Sequence, residues 1–247
     1  MRYFIEIAFN GKNYHGWQNQ PDAVSVQQTL EEALSTILRA PIEIVGAGRT
    51  DAGVHAKQIF AHFDFAEVKE TESLIYKLNS FLPKEIAIKN IFPVREDAHA
   101  RFDATSRTYE YHICLEKDPF AIDFCHKLNQ CPDVEKMNEA AKILYNYQDF
   151  QCFSRSKTDV KTYNCTISFA EWKKMENRLV FTITADRFLR NMVRAIVGTL
   201  LDIGFEKITV NDLHNIIKSK NRSNAGTSVP AEGLYLTRVV YPKELFL

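Results

Sequence analysis

The string Gly46-Ala47-Gly48-Arg49-Thr50-Asp51-Ala52-Gly53-Val54-His55-Ala56 gathers an Arg, an Asp and a His among three glycines, with Val54 its one large apolar residue. Glycine lets the backbone take positive φ and lets a ligand come close. A carboxylate held in so open a loop, beside a guanidinium, can act as a nucleophile or a base. The same string also reads as a glycine turn with Asp51 as an Asx cap. Its spacing fits neither a GxGxxG loop nor a P-loop, so a phosphate cradle is disfavoured.

Three further segments carry chemical groups. Phe9 to Gln20 is a polar turn studded with aromatics, and its Lys12, Tyr14, Trp17 and Gln18 suit stacking on bases and holding phosphates. The alternative is a surface loop with Trp17 tucked into the core. Arg107-Thr108-Tyr109-Glu110-Tyr111 alternates, so both tyrosines share one face of a strand. They read as core, or Tyr109 reads as a stacking ring at a cleft edge. Arg187, Arg190 and Arg194 fall at i, i+3 and i+7 of a helix expected over 187–203. An Arg bordering that helix's apolar face needs a carboxylate partner, for which Asp51 and Asp186 are candidates. It reads equally as a snorkelling Arg.

The elements that must position these groups form a mixed α/β chain. Residues 2–9 read as a buried strand, followed by Asn10-Gly11-Lys12-Asn13 turn chemistry. Ser25 and Gln28 form a capping box for a helix that Pro41 ends. Strands are expected near 42–46 and 57–65, a helix running to Pro83, and a strand near 86–94. After a crossover at 95–106 come a strand over 107–115 and a helix over 134–145. Strands over 161–172 and 178–185 join through a Glu176-Asn177 hairpin. The 187–203 helix, a helix near 209–219 and a strand near 233–241 close the chain. This order suggests two α+β halves, 1–105 and 106–247, whose sheets join or face each other across a cleft.

Composition excludes several classes. The 247 residues are 45% hydrophobic and 25% charged, which is ordinary for a globular protein and rules out a disordered or fibrous one. No apolar stretch approaches the roughly 20 residues that span a bilayer. Glu6 interrupts any signal-peptide core. A cytoplasmic location is expected. Five cysteines without a CxxC pair argue against a disulfide framework and a structural zinc site, and no histidine spacing suggests a metal. Basic and acidic residues balance at 31 each, yet residues 154–194 hold nine basic and four acidic residues. Such a zone reads as a solvated face or as a phosphate-binding one.

Together these segments resemble the TruA family of tRNA pseudouridine synthases. The resemblance begins with Gly48 to Ala56 and extends to Tyr14 to Gln20, Arg107 to Tyr111 and Phe188 to Arg194 with Val197-Gly198. It ends at Pro230 to Leu236. The motifs come in the family's order over almost the whole chain. The resemblance implies an α+β pseudouridine synthase fold: two duplicated RRM-like halves whose mainly antiparallel sheets flank a central active-site cleft. It implies that Asp51 is the nucleophile, that Tyr109 stacks on the target uracil, and that Arg49 helps extrude the nucleotide. Arg194 would pair with Asp51 and keep it ionised, and Leu234 would line the pocket. Lys12, Tyr14, Trp17, Gln18, His55, Arg187 and Arg190 would contact RNA. It further implies a homodimer without cofactor or metal, acting on uridine at positions 38, 39 and 40 of the tRNA anticodon stem-loop. Neutral net charge departs from what a tRNA binder suggests. A non-catalytic RNA-binding module or chaperone is the competing expectation, although no RNP1-type string is present. A two-carboxylate glycoside hydrolase is a third, although no second acid lies near Asp51 in sequence.

Overall fold

The computed structural model describes residues 1–155 and 160–247. Part of the basic window, including Lys157, lies outside the described residues. The chain resolves into two compact units, Met1–Thr105 with Tyr235–Leu247, and Ser106–Leu234.

In the first unit β1 (Arg2–Phe9) is flanked by antiparallel β3 (His55–Asp64) and β4 (Ile86–Val94). The short β2 (Val45–Gly46) pairs with β3. β1 buries Tyr3, Ile5, Ile7 and Phe9 on one face and Phe4 on the other. Phe4, Ile5 and Ile7 are fully buried, as are Leu30 and Leu34 of α1 (Val26–Leu38) and Leu78 of α2 (Thr71–Phe81). Tyr241 and Phe246 meet Phe4 edge-on, with ring centres 5.0 and 6.1 Å away. The chain's last strand, β9 (Leu234–Val240), runs parallel to β3 with Tyr235 opposite His55. The terminal segment thus supplies apolar cover to the first unit, a long-range pairing that element order alone does not disclose.

In the second unit β8 (Arg178–Ala185) lies between antiparallel β5 (Ser106–Cys114) and β7 (Ile167–Met175), with a two-residue β6 (His126–Lys127) parallel to β5. Glu176, at φ 49°, and Asn177 make the expected hairpin turn. α3 (Val134–Ile143) packs on β7 and on α4 (Met192–Gly204), and α5 (Asp212–Ser219) follows. α4 is apolar on nearly every side, as a helix enclosed by its own unit must be. The sheets are mostly antiparallel, and the chain is of mixed α+β type. Among the described residues no helix is long and apolar enough to cross a membrane.

Three expectations need correction. The helix expected from 187 begins only at Met192, because Asn191 adopts a left-handed conformation at φ 67° and breaks the run. The strand expected from 161 begins at Ile167. A disulfide is present, joining Cys114 to Cys125 with Cα atoms 6.0 Å apart. Pairing of β6 with β5 brings these two cysteines together.

Candidate active site

In the first unit, the loop after β2 is anchored at both ends and along its length. The Ala47 N–H donates to Phe60 O at 2.7 Å as the chain leaves β2. Thr50 O accepts from the Trp17 N–H, Tyr14 O from the Gly53 N–H, and Asp51 O from the Val54 N–H. The 46–54 loop and the 11–18 turn therefore form one hydrogen-bonded layer. Two glycines make that layer possible. Gly16 sits at φ +91°, and a Cβ there would come within 2.3 Å of Thr50 O. Gly53 is also at positive φ, 78°, and closes the turn behind Asp51.

His55, two residues beyond Gly53, is buried at 2% exposure. Its Nδ1 accepts the Gly11 N–H at 3.1 Å, and its ring stacks on Tyr235 at 4.7 Å. Trp17 is equally buried, beside Phe9 at 6.2 Å, and its indole lies where a Cβ on Gly46 would collide. Tyr14 is buried too, and burial raises its phenol above the ordinary value, with Glu85 adding to the rise. These three expected RNA contacts therefore hold the loop from beneath. Arg49, Lys12 and Gln18 are exposed above it, and Asp51 is half-buried. Among the described residues, the buried Thr50 Oγ1 has no hydrogen-bond partner. Among the described residues, chain neighbours aside, no atom lies within 4 Å of where a Cβ on Gly48 would stand, so space lies open beside Arg49.

In the second unit, β5 grades from buried to accessible along one face. Tyr111 is fully buried opposite Phe181, and its hydroxyl donates to Pro230 O at 2.9 Å. Burial drives its phenol far above the ordinary range. Tyr109, opposite Ile183, is half-buried and meets Phe188 edge-on at 5.1 Å. The same alternation thus serves core at one residue and an accessible ring at the next.

Arg187, Arg190 and Arg194 do not line one helix flank, since only Arg194 lies on α4. Arg187 donates to Thr162 O at 3.3 Å, while the Asp186 carboxylate accepts the N–H groups of Thr166 and Arg187. Arg190 is exposed. Arg194 is half-buried and donates through Nε to Val229 O at 2.7 Å, with the Val229 N–H returning a bond to Arg194 O. Asn191 Nδ2 reaches Ser228 Oγ nearby. Leu234 is buried at the start of β9. Spacing did not disclose Phe188 as a neighbour of Tyr109, nor Lys57, whose Nζ lies 5.3 Å from the Tyr235 ring centre. Among the described residues no group of three or more His, Cys, Asp or Glu could hold a metal ion.

The family model for tRNA pseudouridine synthase matches residues 6–103 and 140–242. The chain belongs to the tRNA pseudouridine synthase family. A member named tRNA pseudouridine synthase A from Parabacteroides distasonis is 55% identical over 99% of this chain and 98% of its own. One of the same name from Porphyromonas gingivalis is 54% identical over 100% and 99%. A more distant synthase from Clostridium acetobutylicum is 40% identical over 96% and 98%. Both stretches of the family match include segments described above, the Asp51 loop in the first and Arg194 in the second.

Proposed function

We propose that this chain isomerises uridine to pseudouridine at positions 38, 39 and 40 of the tRNA anticodon stem-loop, with Asp51 as the catalytic carboxylate. The single observation that carries this is 55% identity to a tRNA pseudouridine synthase A over 99% of this chain. Isomerisation breaks the bond from N1 to C1′ and forms one from C5 to C1′. The C5 hydrogen leaves as a proton, and N1 acquires one. The balance requires no external acceptor. Asp51 attacks the base or the sugar, or removes a proton, from a loop that is sterically open beside Gly48.

The target base must leave its stack, which costs a few kcal/mol. Tyr109, accessible and braced edge-on by Phe188, offers a ring whose stacking returns about 1–3 kcal/mol. Arg49, exposed on the Asp51 loop, helps extrude the nucleotide. Arg194 and Leu234 serve substrate binding. Lys12, Gln18, Arg187 and Arg190 serve the RNA backbone. The protein acts as a homodimer in the cytoplasm, and light scattering of the purified protein tests the oligomeric state directly.

Internal duplication is supported by one regularity. The first unit runs β1, α1, β2, β3, α2, β4 with sheet order β4-β1-β3-β2, a ferredoxin-like arrangement. The second unit places α3 between β5 and β7, and orders its strands β5-β8-β7. This matches the order β1-β3-β2.

The test is positional. An unmodified tRNA transcript with uridines at 38, 39 and 40 is incubated with the protein, treated with a pseudouridine-selective carbodiimide and copied by reverse transcription. Stops marking those positions, and no others, are expected. A protein that bound the transcript but produced no stop anywhere would favour the non-catalytic alternative.

A further inference from the structure

A series of rings climbs from the core of the first unit to its surface. Phe4, fully buried in β1, lies 6.4 Å from the ring of His62. His62 meets His99 edge-on at 4.7 Å, and His99 meets Phe102 at 4.2 Å. Phe102 ends the series 73% exposed.

Looseness does not account for this exposure, because the turn carrying Phe102 is tightly built. His99 Nδ1 accepts the N–H groups of Arg101 and Phe102, and His62 Nδ1 accepts that of Ala100 at 3.1 Å. The Asp103 carboxylate accepts the His99 N–H at 2.7 Å. Tyr241 donates its hydroxyl to Ala100 O, and Arg2 donates to Ala98 O. Burial holds both histidines below the ordinary imidazole value, so near neutral pH their rings are uncharged and those nitrogens can accept. Arg101 places its guanidinium 5.7 Å from the Phe102 ring centre. An aromatic face and a cation on a rigid turn form a nucleotide-recognition pair, the ring for the base and the guanidinium for its phosphate.

We propose that Phe102 and Arg101 form a nucleotide-binding site, at which an unstacked base of the RNA substrate becomes the next ring in this series. This rests on the tRNA reading above. Phe102 is here a substrate-binding residue, separate from the reacting carboxylate.

Phe102→Ala, Phe102→Leu, Phe102→Trp and Arg101→Gln are compared with wild type. tRNA binding is followed by fluorescence anisotropy, and turnover by pseudouridine yield. Because Phe102 is largely exposed, all four variants should keep the wild-type Tm. Phe102→Ala and Phe102→Leu should each weaken Kd and raise KM about tenfold with kcat unchanged. Phe102→Trp should bind like wild type, and its added fluorescence should be quenched by tRNA. Arg101→Gln should flatten the salt dependence of binding by about one phosphate contact. Wild-type affinity in Phe102→Ala, wild-type affinity in Phe102→Leu, or an unquenched tryptophan would each overturn the proposal. Phe102-dependent binding by a wild-type protein that forms no pseudouridine would leave this site standing and overturn the catalytic reading instead.

Discussion

In the proposed reaction Asp51 and Tyr109 contribute chemically different things, and their variants should separate accordingly. Asp51→Asn keeps the side chain's size and removes its negative charge. Turnover should fall on the order of a thousandfold or more while tRNA affinity stays within a few fold, as single-turnover kinetics and anisotropy would show. Tyr109→Phe keeps the ring that packs on Phe188 at 5.1 Å and should retain most activity. Tyr109→Leu loses the ring and should lose at least tenfold in kcat/KM. Equal losses in Phe and Leu would assign the work to the hydroxyl. At this scale the sequence was informative about residue type and less so about exposure. Tyr14, Trp17 and His55 carry groups suited to RNA, yet each is buried, in a turn whose closure includes contacts between residues 30 or more positions apart. Local composition contains no signal for that closure.

The elements around Asp51 make a paired test possible. A Cβ on Gly16 would drive into Thr50 O at 2.3 Å and also meet an unfavourable φ of +91°. Gly16→Ala should therefore cost about 1–3 kcal/mol and shift the Asp51 loop, lowering both Tm and kcat. Gly48→Ala meets nothing within 4 Å and should leave Tm unchanged. A rise in KM for Gly48→Ala alone would show that substrate uses the space beside it, whereas a fall in Tm would contradict the open geometry. Most helices and long strands were legible from periodicity, since their apolar residues recur where burial demands it. The start of α4 was not, because the apolar pattern runs on through Phe188 and Leu189 while Asn191 turns left-handed. The arginines before Asn191 are consequently fixed by a turn, with Arg187 held by Thr162 O.

For the whole molecule, stability should respond to pH and to reductant. Burial, helped by Arg2 and His99, lowers His62 to about 4, while Asp64 and Asp103 oppose the shift. Below about pH 6.5 the unfolded chain takes up a proton that folded His62 refuses until about pH 4. Its contribution, roughly 3 kcal/mol at most, is therefore present above pH 6.5 and lost as pH falls through that window. Denaturant melts at pH 7 and pH 4.5 should show the loss, and His62→Phe should remove this part of the slope. The Cys114–Cys125 bond closes a segment of sequence separation 11, which contributes about 2–3 kcal/mol where the bond is formed. Reductant should lower Tm in wild type and leave Cys114→Ser unaffected. An odd number of cysteines concealed this pair, and only the pairing of β6 with β5 reveals it. Similarly, the return of 235–247 to the first unit depends on long-range pairing that no local pattern encodes.

The most direct test of the central claim, a carboxylate-dependent isomerisation, follows the hydrogen on carbon 5. Joining carbon 5 to the ribose must expel it, so tRNA carrying [5-³H]uridine should release tritium to water with the wild-type protein. Asp51→Ala, folded and still binding tRNA, should release none above background. Tritium release by Asp51→Ala at the wild-type rate would contradict the role given to Asp51, and no release by wild type on any of several tRNAs would contradict the reaction itself.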